Sequence, residues 1–531
     1  MTSDLPRVLV KEQIAESGIE LLREKFDVEL GFEMDDEELA ARIGEFDAIL
    51  IRSATTLTPE LIEAGGRLKV IGRAGTGVDN VDIPAATERG VIVANAPESN
   101  SVAAAEHTLA LALALFRSVP QAHSSLVGGA WDRSSYKGSE LYGKTLGVVG
   151  FGRIGQLVAR RALAFEMDVV AFDKFVSPER FEELGVEGVE AIEELYRRAD
   201  LITIHLPKTP ETIDWIDGEA IAQMKEGVRI VNCARGELID LDALLEGLES
   251  GKVGGAALDV FPEEPFSGHP LFERGDVVVT PHLGASTSEA QDRAGVDTAE
   301  QVIAALTGGV VTNAVNIPAV DPATMQALAP YVPVCEMLGK VLASVVDGPF
   351  GPVEVEFRGG VATNDTRLLG LAVLAGLLSG HTERQVNLVN ASQLAEERGI
   401  EIAETSAADP GDFTDLITVA VGEGADRVAV GGTVAGPNHV PHLASVWNEE
   451  FFIPFEPYMA IFRYSDRPGM IGAVGRVIGD AGINIGSAAV GAESDGEQAV
   501  MVLTLDGPPT EEVMGEILSL EGFAEGSALN L

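Results

Sequence analysis

The sequence predicts an α/β chain: two successive units of parallel sheet, then an α+β stretch, then a small ferredoxin-like unit. Three observations predict this. Apolar runs of strand length alternate with amphipathic stretches from residue 8, and the alternation restarts after a long apolar helix. The run GVVGFGRIGQ at 147–156 sets three glycines between an apolar strand and a helix. From about residue 457 the order strand, helix, strand, strand, helix, strand is the ferredoxin-like plan. At 531 residues the chain is too long for one core, which makes three or four domains the expectation.

In chain order, the first rhythm is VLVKE, a helical stretch at 14–25, AILIR, a helical stretch at 58–65, LKVIGRA, and VIVANA at 91–96. A helix over 101–118 leads into the second: TLGVVG, DVVAFD, LITIHLP, VRIVNCA, GAALDV and VVVTPHLG, six strands that suit a doubly wound sheet. A helical stretch at 288–307 follows, and NIPAVDPA at 316–323, with its two prolines, marks a boundary. Residues from about 325 to 452 are Gly-rich and weakly patterned; they read as a separate α+β domain without a catalytic cluster. The last unit runs YMAIFRYS, helix 470–481, INIGSAAVG, EQAVMVLTLDG, helix 510–520 and a short closing strand, which fits one small independent domain.

Composition narrows the function class. With 46% hydrophobic and 23% charged residues the chain is ordinary globular protein, and no stretch approaches the roughly 20 uninterrupted apolar residues of a membrane span. The N-terminus MTSDLPRVLV lacks the basic-then-apolar layout of a secretion signal, and two cysteines, Cys233 and Cys335, make no disulfide framework. A cytoplasmic location is expected. A formal charge of −46 repels phosphate, which argues against nucleic acid and anionic membrane as partners. The acidity fits an ordinary soluble enzyme, and with the excess of Arg over Lys it equally fits a salty cytoplasm.

The glycine turn has the context a dinucleotide needs. KTLGVVG supplies the preceding strand and RIGQLVARRALAF the following helix. Gly150 allows the tight turn, Gly152 lets the backbone approach a pyrophosphate, and Gly155 lets helix and strand pack closely, with the helix N-terminus facing the phosphates. Asp173 ends the second strand, where a carboxylate accepts from ribose hydroxyls and repels a 2′-phosphate, so NAD is favoured over NADP; Lys174 beside it is a mild counter-signal.

Ligands of such sheets sit beyond the carboxyl ends of the strands, where Arg235, Glu264 and His282 fall. Singly, each has a plain alternative: a surface charge, a loop carboxylate before Pro265, a capped core imidazole. Together they form a set for oxidising a hydroxy acid. His282 would take the hydroxyl proton, Glu264 would fix its tautomer and help it accept that proton, and Arg235 would bind a carboxylate with two parallel hydrogen bonds. No His/Cys/Asp cluster with metal spacing is present, so no metal is expected.

At these residues the sequence resembles a known family. GFGRIGQ, NCARGELID, ALDVFPEEP and TPHLGAST look like signatures of the D-isomer-specific 2-hydroxyacid dehydrogenases. GRAGTGVDNVD at 72–82, NAPESNSVAAAEH at 95–107 and the C-terminal unit narrow the resemblance to the long-form D-3-phosphoglycerate dehydrogenase family, with an intervening domain and an ACT domain. The match is specific from 7 to about 315, looser from 320 to 452 and good again at 458–484. It implies a Rossmann-type nucleotide domain, 98–290, inserted in a flavodoxin-like substrate domain, 1–97 plus 291–318. An intervening domain at 320–453 and an ACT regulatory domain at 457–531 would follow.

The resemblance also implies roles. Arg235, Glu264 and His282 match the catalytic residues. Gly150, Gly152, Arg153, Ile154, Gly155, Asp173, His205, Pro207, Thr209, Cys233, Ala234, Asp259 and Gly284 match contacts of NAD. Arg52, Ser53 and Arg73 match contacts to the phosphate of 3-phosphoglycerate, Gly77 and Asn100 line the same cleft, and Arg133 would reach in from a neighbouring subunit. A reductase of glyoxylate or hydroxypyruvate, or another D-2-hydroxyacid dehydrogenase, and a non-catalytic NAD-sensing scaffold are the alternative readings. In the ACT unit Tyr464, Asp466 and Asn484 match positions that bind serine in serine-inhibited relatives, and a homodimer or homotetramer is implied. Relatives place basic residues in a stretch like VGGTVAGPNHVPHLASV to hold an anionic effector. Here only His439 and His442 stand there.

Overall fold

Five parallel strands open the chain: β1 (Arg7–Val10), β2 (Asp27–Leu30), β3 (Ala48–Ile51), β4 (Val70–Arg73) and β5 (Ile92–Asn95). This computed structural model describes residues 5–531 except 310, 319–321, 347–349, 383, 423, 425–426 and 493–497. The strand order β2-β1-β3-β4-β5 is the flavodoxin-like one. β3 is buried throughout and β1 and β4 nearly so, because both faces of the sheet are covered; hence their continuous apolar runs. β2, with the sequence DVEL, has no such run: it is an edge strand whose residues stay half or fully exposed, and the sequence reading passed over it. Helix Ser288–Leu306 returns to pack on β4 and on helix Glu16–Arg23. The two helices touch at glycines, where a Cβ on Gly18 would stand 2.5 Å from the Gly295 carbonyl oxygen.

The second sheet holds β6 (Thr145–Val149), β7 (Asp168–Phe172), β8 (Glu187–Gly188), β9 (Leu201–Ile204), β10 (Val228–Asn232), β11 (Val253–Leu258) and β12 (Val277–Val279). Its order is β12-β11-β10-β9-β6-β7-β8, all parallel. Six strands were expected; the seventh, β8, is a two-residue exposed edge too short to leave an apolar run. Strand order reverses between β6 and β9, and the crevice outside their carboxyl ends is where such sheets bind dinucleotides.

The third sheet is mixed: β13 (Val353–Gly359), β14 (Ile402–Ala407), β15 (Asp415–Val421), β16 (Val428–Ala435), β17 (Val440–Val446) and β18 (Glu449–Pro454), in the order β14-β13-β15-β16-β17-β18. The helical run 323–345 is long and apolar enough to cross a membrane by length and composition. Leu328, Val334, Cys335, Leu338, Val341 and Leu342 on it are fully buried against this sheet, so it is a core helix. The expected boundary at 316–323 lies partly outside the described residues; Asn316, at its start, is tied to the first sheet, accepting from the Val93 N–H at 2.9 Å and donating to the Val91 carbonyl at 2.9 Å.

The fourth sheet, β19 (Tyr458–Ser465), β20 (Ile485–Ala492), β21 (Gln498–Leu505) and β22 (Phe523–Asn530), has the order β20-β21-β19-β22, with helices Met470–Asp480 and Glu511–Leu518 completing the ferredoxin-like unit. The last strand is eight residues long, not short. Ala460, Phe462, Met501 and Leu503 pack under the unit's own helices, whereas Met459, Ile461, Val500, Val502 and Leu529 enter the core of the preceding domain. The last two units therefore share a core, which corrects the expectation of an independent terminal domain. The physical reason is in β21, apolar on both faces and so needing cover on both.

Candidate active site

Both parallel sheets aim the carboxyl ends of their strands at one cleft of about 660 Å³. From the first sheet come Arg52 and Ser53, just past β3, and Arg73, the last residue of β4; Asn100 stands at the start of helix Ser101–Arg117. The Arg52 loop is held from below by Glu12, whose carboxylate accepts from the N–H groups of Arg52 (2.9 Å), Ala54 (3.1 Å) and Thr55 (2.9 Å). Asn80 closes the loop, donating to the carbonyls of Arg52 and Thr55. Arg73 is largely buried and folds over Gly75, and its Nε has no hydrogen-bond partner among the described residues. Burial, and then the charge of Arg235, lower its pKa. A guanidinium so placed favours an anion beside it.

From the second sheet come Arg235, Glu264 and His282, all lining the same cleft. Asn232, fully buried at the end of β10, accepts from the Ala234 N–H and donates to the Arg235 carbonyl, which shapes the turn that presents Arg235. His282 Nδ1 and Glu264 Oε2 stand 2.6 Å apart, and Glu264 Oε1 accepts from the Phe261 N–H at 3.1 Å. With Nδ1 committed to the carboxylate, Nε2 is the nitrogen left for a substrate. His282 has a left-handed φ of 54°, unusual for a residue with a Cβ. Asp259 holds it there: its main-chain carbonyl accepts from the His282 N–H, and its carboxylate accepts from the N–H groups of Leu283 and Gly284 at 2.8 Å each.

Asp259 is fully buried, and His107 and Thr280 also bond to its carboxylate. Burial opposes its ionisation, but these hydrogen bonds outweigh it and hold the carboxyl below the ordinary range. Asp259, expected among the cofactor contacts, organises from its buried position the loop that carries His282 and Gly284.

The glycine turn follows β6. Gly150 has φ 90° and lies against His205, where a Cβ would be 2.7 Å from the carbonyl oxygen; a Cβ on Gly155 would be 2.2 Å from the Gly150 carbonyl oxygen. Gly152 is exposed with open space beside it, the room a pyrophosphate needs at the N-terminus of helix Arg153–Ala164. Asp173 accepts from the N–H groups of Phe151 (2.8 Å) and Phe175 (2.9 Å), so it ties the turn down and keeps a free lone pair on each oxygen for ribose hydroxyls. These features fit NAD. Arg153 is exposed and paired with Glu98 at 2.8 Å, and Ile154 packs into the core beneath the turn. His205 is half-buried with Nε2 3.0 Å from Thr203 Oγ1, and burial pushes its pKa down to about 4. Pro207 and Thr209 form a small turn closed by the Thr212 hydroxyl. Cys233 and Ala234 lead into Arg235, and burial raises the Cys233 thiol to about 12.

Not every expected residue joins the cleft. Gly77 does so only by contact, lying beneath Arg235. Arg133 is exposed, beyond helix Val119–Val127. In the terminal unit Asp466 and Asn484 are exposed, whereas Tyr464 is 2% exposed, its ring 5.4 Å from that of Phe523. Sequence reading missed Glu12, Asp79, Asn80, His107 and Asn232. The first and last stand in or just after strands and Asp79 lies within GRAGTGVDNVD, yet nothing in a linear pattern shows which loop each would hold. Among the described residues no group of three or more His, Cys, Asp or Glu side chains is arranged for a metal ion.

A doubly wound nucleotide sheet with a glycine turn, facing a histidine, its carboxylate partner and an arginine across a cleft, fits an NAD-dependent dehydrogenase of 2-hydroxy acids. Comparison agrees with this class. Residues 109–284 match the NAD-binding domain of the D-isomer-specific 2-hydroxyacid dehydrogenases, 327–445 the D-3-phosphoglycerate dehydrogenase intervening domain and 458–522 the ACT domain. The chain is 44% identical over 526 residues to D-3-phosphoglycerate dehydrogenase of Methanocaldococcus jannaschii, covering 99% of this chain and 100% of that one. It is 44% identical over 517 residues to that of Mycobacterium leprae, with 97% of each covered. Among solved structures, Aquifex aeolicus D-lactate dehydrogenase complexed with NAD and lactic acid aligns with TM-score 0.53 and 28% identity, over 59% of this chain and all of that one. The chain belongs to the D-3-phosphoglycerate dehydrogenase family.

Proposed function

We propose that the chain oxidises D-3-phosphoglycerate to 3-phosphohydroxypyruvate with NAD, the entry step of phosphorylated serine synthesis. Two arginines in the cleft, Arg52 and Arg73, carry this reading, since a dehydrogenase of an uncharged side chain has no use for them beside Arg235. NAD supplies the hydride acceptor for C2. Arg235 binds the carboxylate, Arg52 and Arg73 bind the phosphate, and the C2 hydroxyl faces His282. Its proton passes to Nε2 as the C2 hydrogen leaves with its electron pair, and Glu264 on Nδ1 stabilises the imidazolium that forms. The product is the 2-oxo acid, and one proton is released when His282 is reset. The test is turnover of NADH with 3-phosphohydroxypyruvate and with hydroxypyruvate, on wild type and Arg52→Ala. The reading expects KM for the phosphorylated substrate to rise about tenfold or more, with hydroxypyruvate turnover unchanged; equal losses on both refute the phosphate site.

Two finer parts complete the proposal. Helix Val119–Val127 buries none of its residues, and Val119, Leu126, Val127 and Trp131 are exposed together, Trp131 at 81%. A second copy covers this face and brings Arg133 to the neighbouring cleft; light scattering that shows a monomer overturns it. Serine acts at the ACT unit through Asp466 and Asn484, and inhibition absent from wild type, or intact in Asn484→Ala, overturns that.

A further inference from the structure

Arg235 does not stand free in the cleft. Asp79, on the loop after β4 and 156 residues away in sequence, accepts from Arg235 Nε through Oδ2 at 3.1 Å. Arg235 Nη1 donates to the Ala234 carbonyl at 2.7 Å. These two bonds fix the plane of the guanidinium from opposite domains, one from the first sheet and one from its own loop. Nη2 lies over Gly77, where a Cβ would stand 2.2 Å from it, so the glycine clears the space the plane occupies. Arg73 shares this corner, feeling the charge of Arg235 as repulsive and that of Asp79 as attractive. An aspartate beside two cations meant for a substrate would compete with that substrate unless it serves the arginine. Bonding to Nε alone, it leaves the Nη edge available.

We propose that Asp79 is a positioning residue for Arg235: it sets the guanidinium plane across the domain cleft so that the Nη edge meets the substrate carboxylate. The proposal rests on the reading of Arg235 as the carboxylate ligand. An exposed ion pair with no such role contributes almost nothing, and the Asp79 side chain is 53% exposed, so the two cases are separable.

The experiment uses the full-length protein with Asp79→Ala, Asp79→Asn, Arg235→Lys and the Asp79→Ala/Arg235→Lys double variant. Measured are KM and kcat, the inhibition constant of oxalate as a carboxylate probe, NADH affinity by fluorescence, and Tm. Asp79→Ala is expected to lower kcat/KM about tenfold, mostly through KM, and to weaken oxalate in step. NADH affinity and Tm stay at wild-type values. Asp79→Asn, which keeps an acceptor for Nε, recovers most of the loss, and Asp79→Ala adds little on top of Arg235→Lys. Asp79→Ala within twofold of wild type, or effects that multiply in the double variant, overturns the proposal while leaving Arg235 in its role. Arg235→Lys at wild-type activity overturns that role and the proposal with it.

Discussion

Replacing Glu264 by Gln removes one negative charge from beside His282 and, because the amide has a single acceptor oxygen, also the acceptor of the Phe261 N–H. The carboxylate lies 2.6 Å from His282 Nδ1, and the side chains of His282 and Glu264 are 47% and 36% exposed. Charge centres of such a pair are about 4 Å apart, which corresponds to ~1 kcal/mol in water and ~4 kcal/mol at the effective dielectric of a protein surface. The half-exposed setting places this pair between the limits, at roughly 2 kcal/mol. That energy is absent when His282 is neutral and present once it has taken the substrate proton, so it belongs to the transition state. At about 1.4 kcal/mol per factor of ten, the expected loss is roughly thirtyfold in kcat. The Gln oxygen still accepts from Nδ1–H, so the tautomer and the NADH affinity are kept. The assay is steady-state oxidation of 3-phosphoglycerate at saturating NAD, with NADH binding by fluorescence alongside. A loss under threefold, or a matching loss of NADH affinity, refutes the assignment of Glu264 as the partner of the base.

Gly77→Ala drives a methyl against Arg235 Nη2, 2.2 Å from the new Cβ, and should lower kcat/KM by tenfold or more with Tm unchanged; wild-type kinetics would show that the guanidinium plane does not matter. Asp259→Asn should cost about 2 kcal/mol at pH 7, because a buried acceptor of several hydrogen bonds becomes a mixed donor and acceptor. Its folded pKa is depressed, so the stability it supplies is complete above the unfolded value near pH 4 and disappears as pH falls through the folded one. The Tm gap between wild type and Asp259→Asn should therefore close on acidification, and a constant gap refutes an ionised Asp259. Asp173→Asn should weaken NADH by about tenfold and narrow the preference over NADPH, measured by fluorescence titration; an unchanged ratio would remove Asp173 from the ribose site.

The legible parts of the molecule are those whose physics is local. Apolar runs reported β1, β3 and β4 because both faces of a parallel sheet are covered. The exposed edges β2 and β8 left no such trace. The glycine turn was readable because Gly150 and Gly155 answer to steric limits within their own turn. Arg235, Glu264 and His282 were readable because parallel strands end at the ligand side, so a polar residue just past an apolar run already points to the cleft.

The sequence by itself determined the class of chemistry: a histidine, a carboxylate, an arginine and a dinucleotide turn, each at a strand end. Tertiary structure decided how they are held. Glu12 bonds to a loop 40 residues away, Asp79 to an arginine 156 residues away and Asp259 to the segment that carries His282. It also decided that the last two units share one core, since an apolar face in β21 states that cover is needed without stating what provides it. Side-chain type and strand position are properties of a linear pattern. Which distant loop a carboxylate steadies depends on two sheets folding against each other, and that pairing has no signature until both are in place.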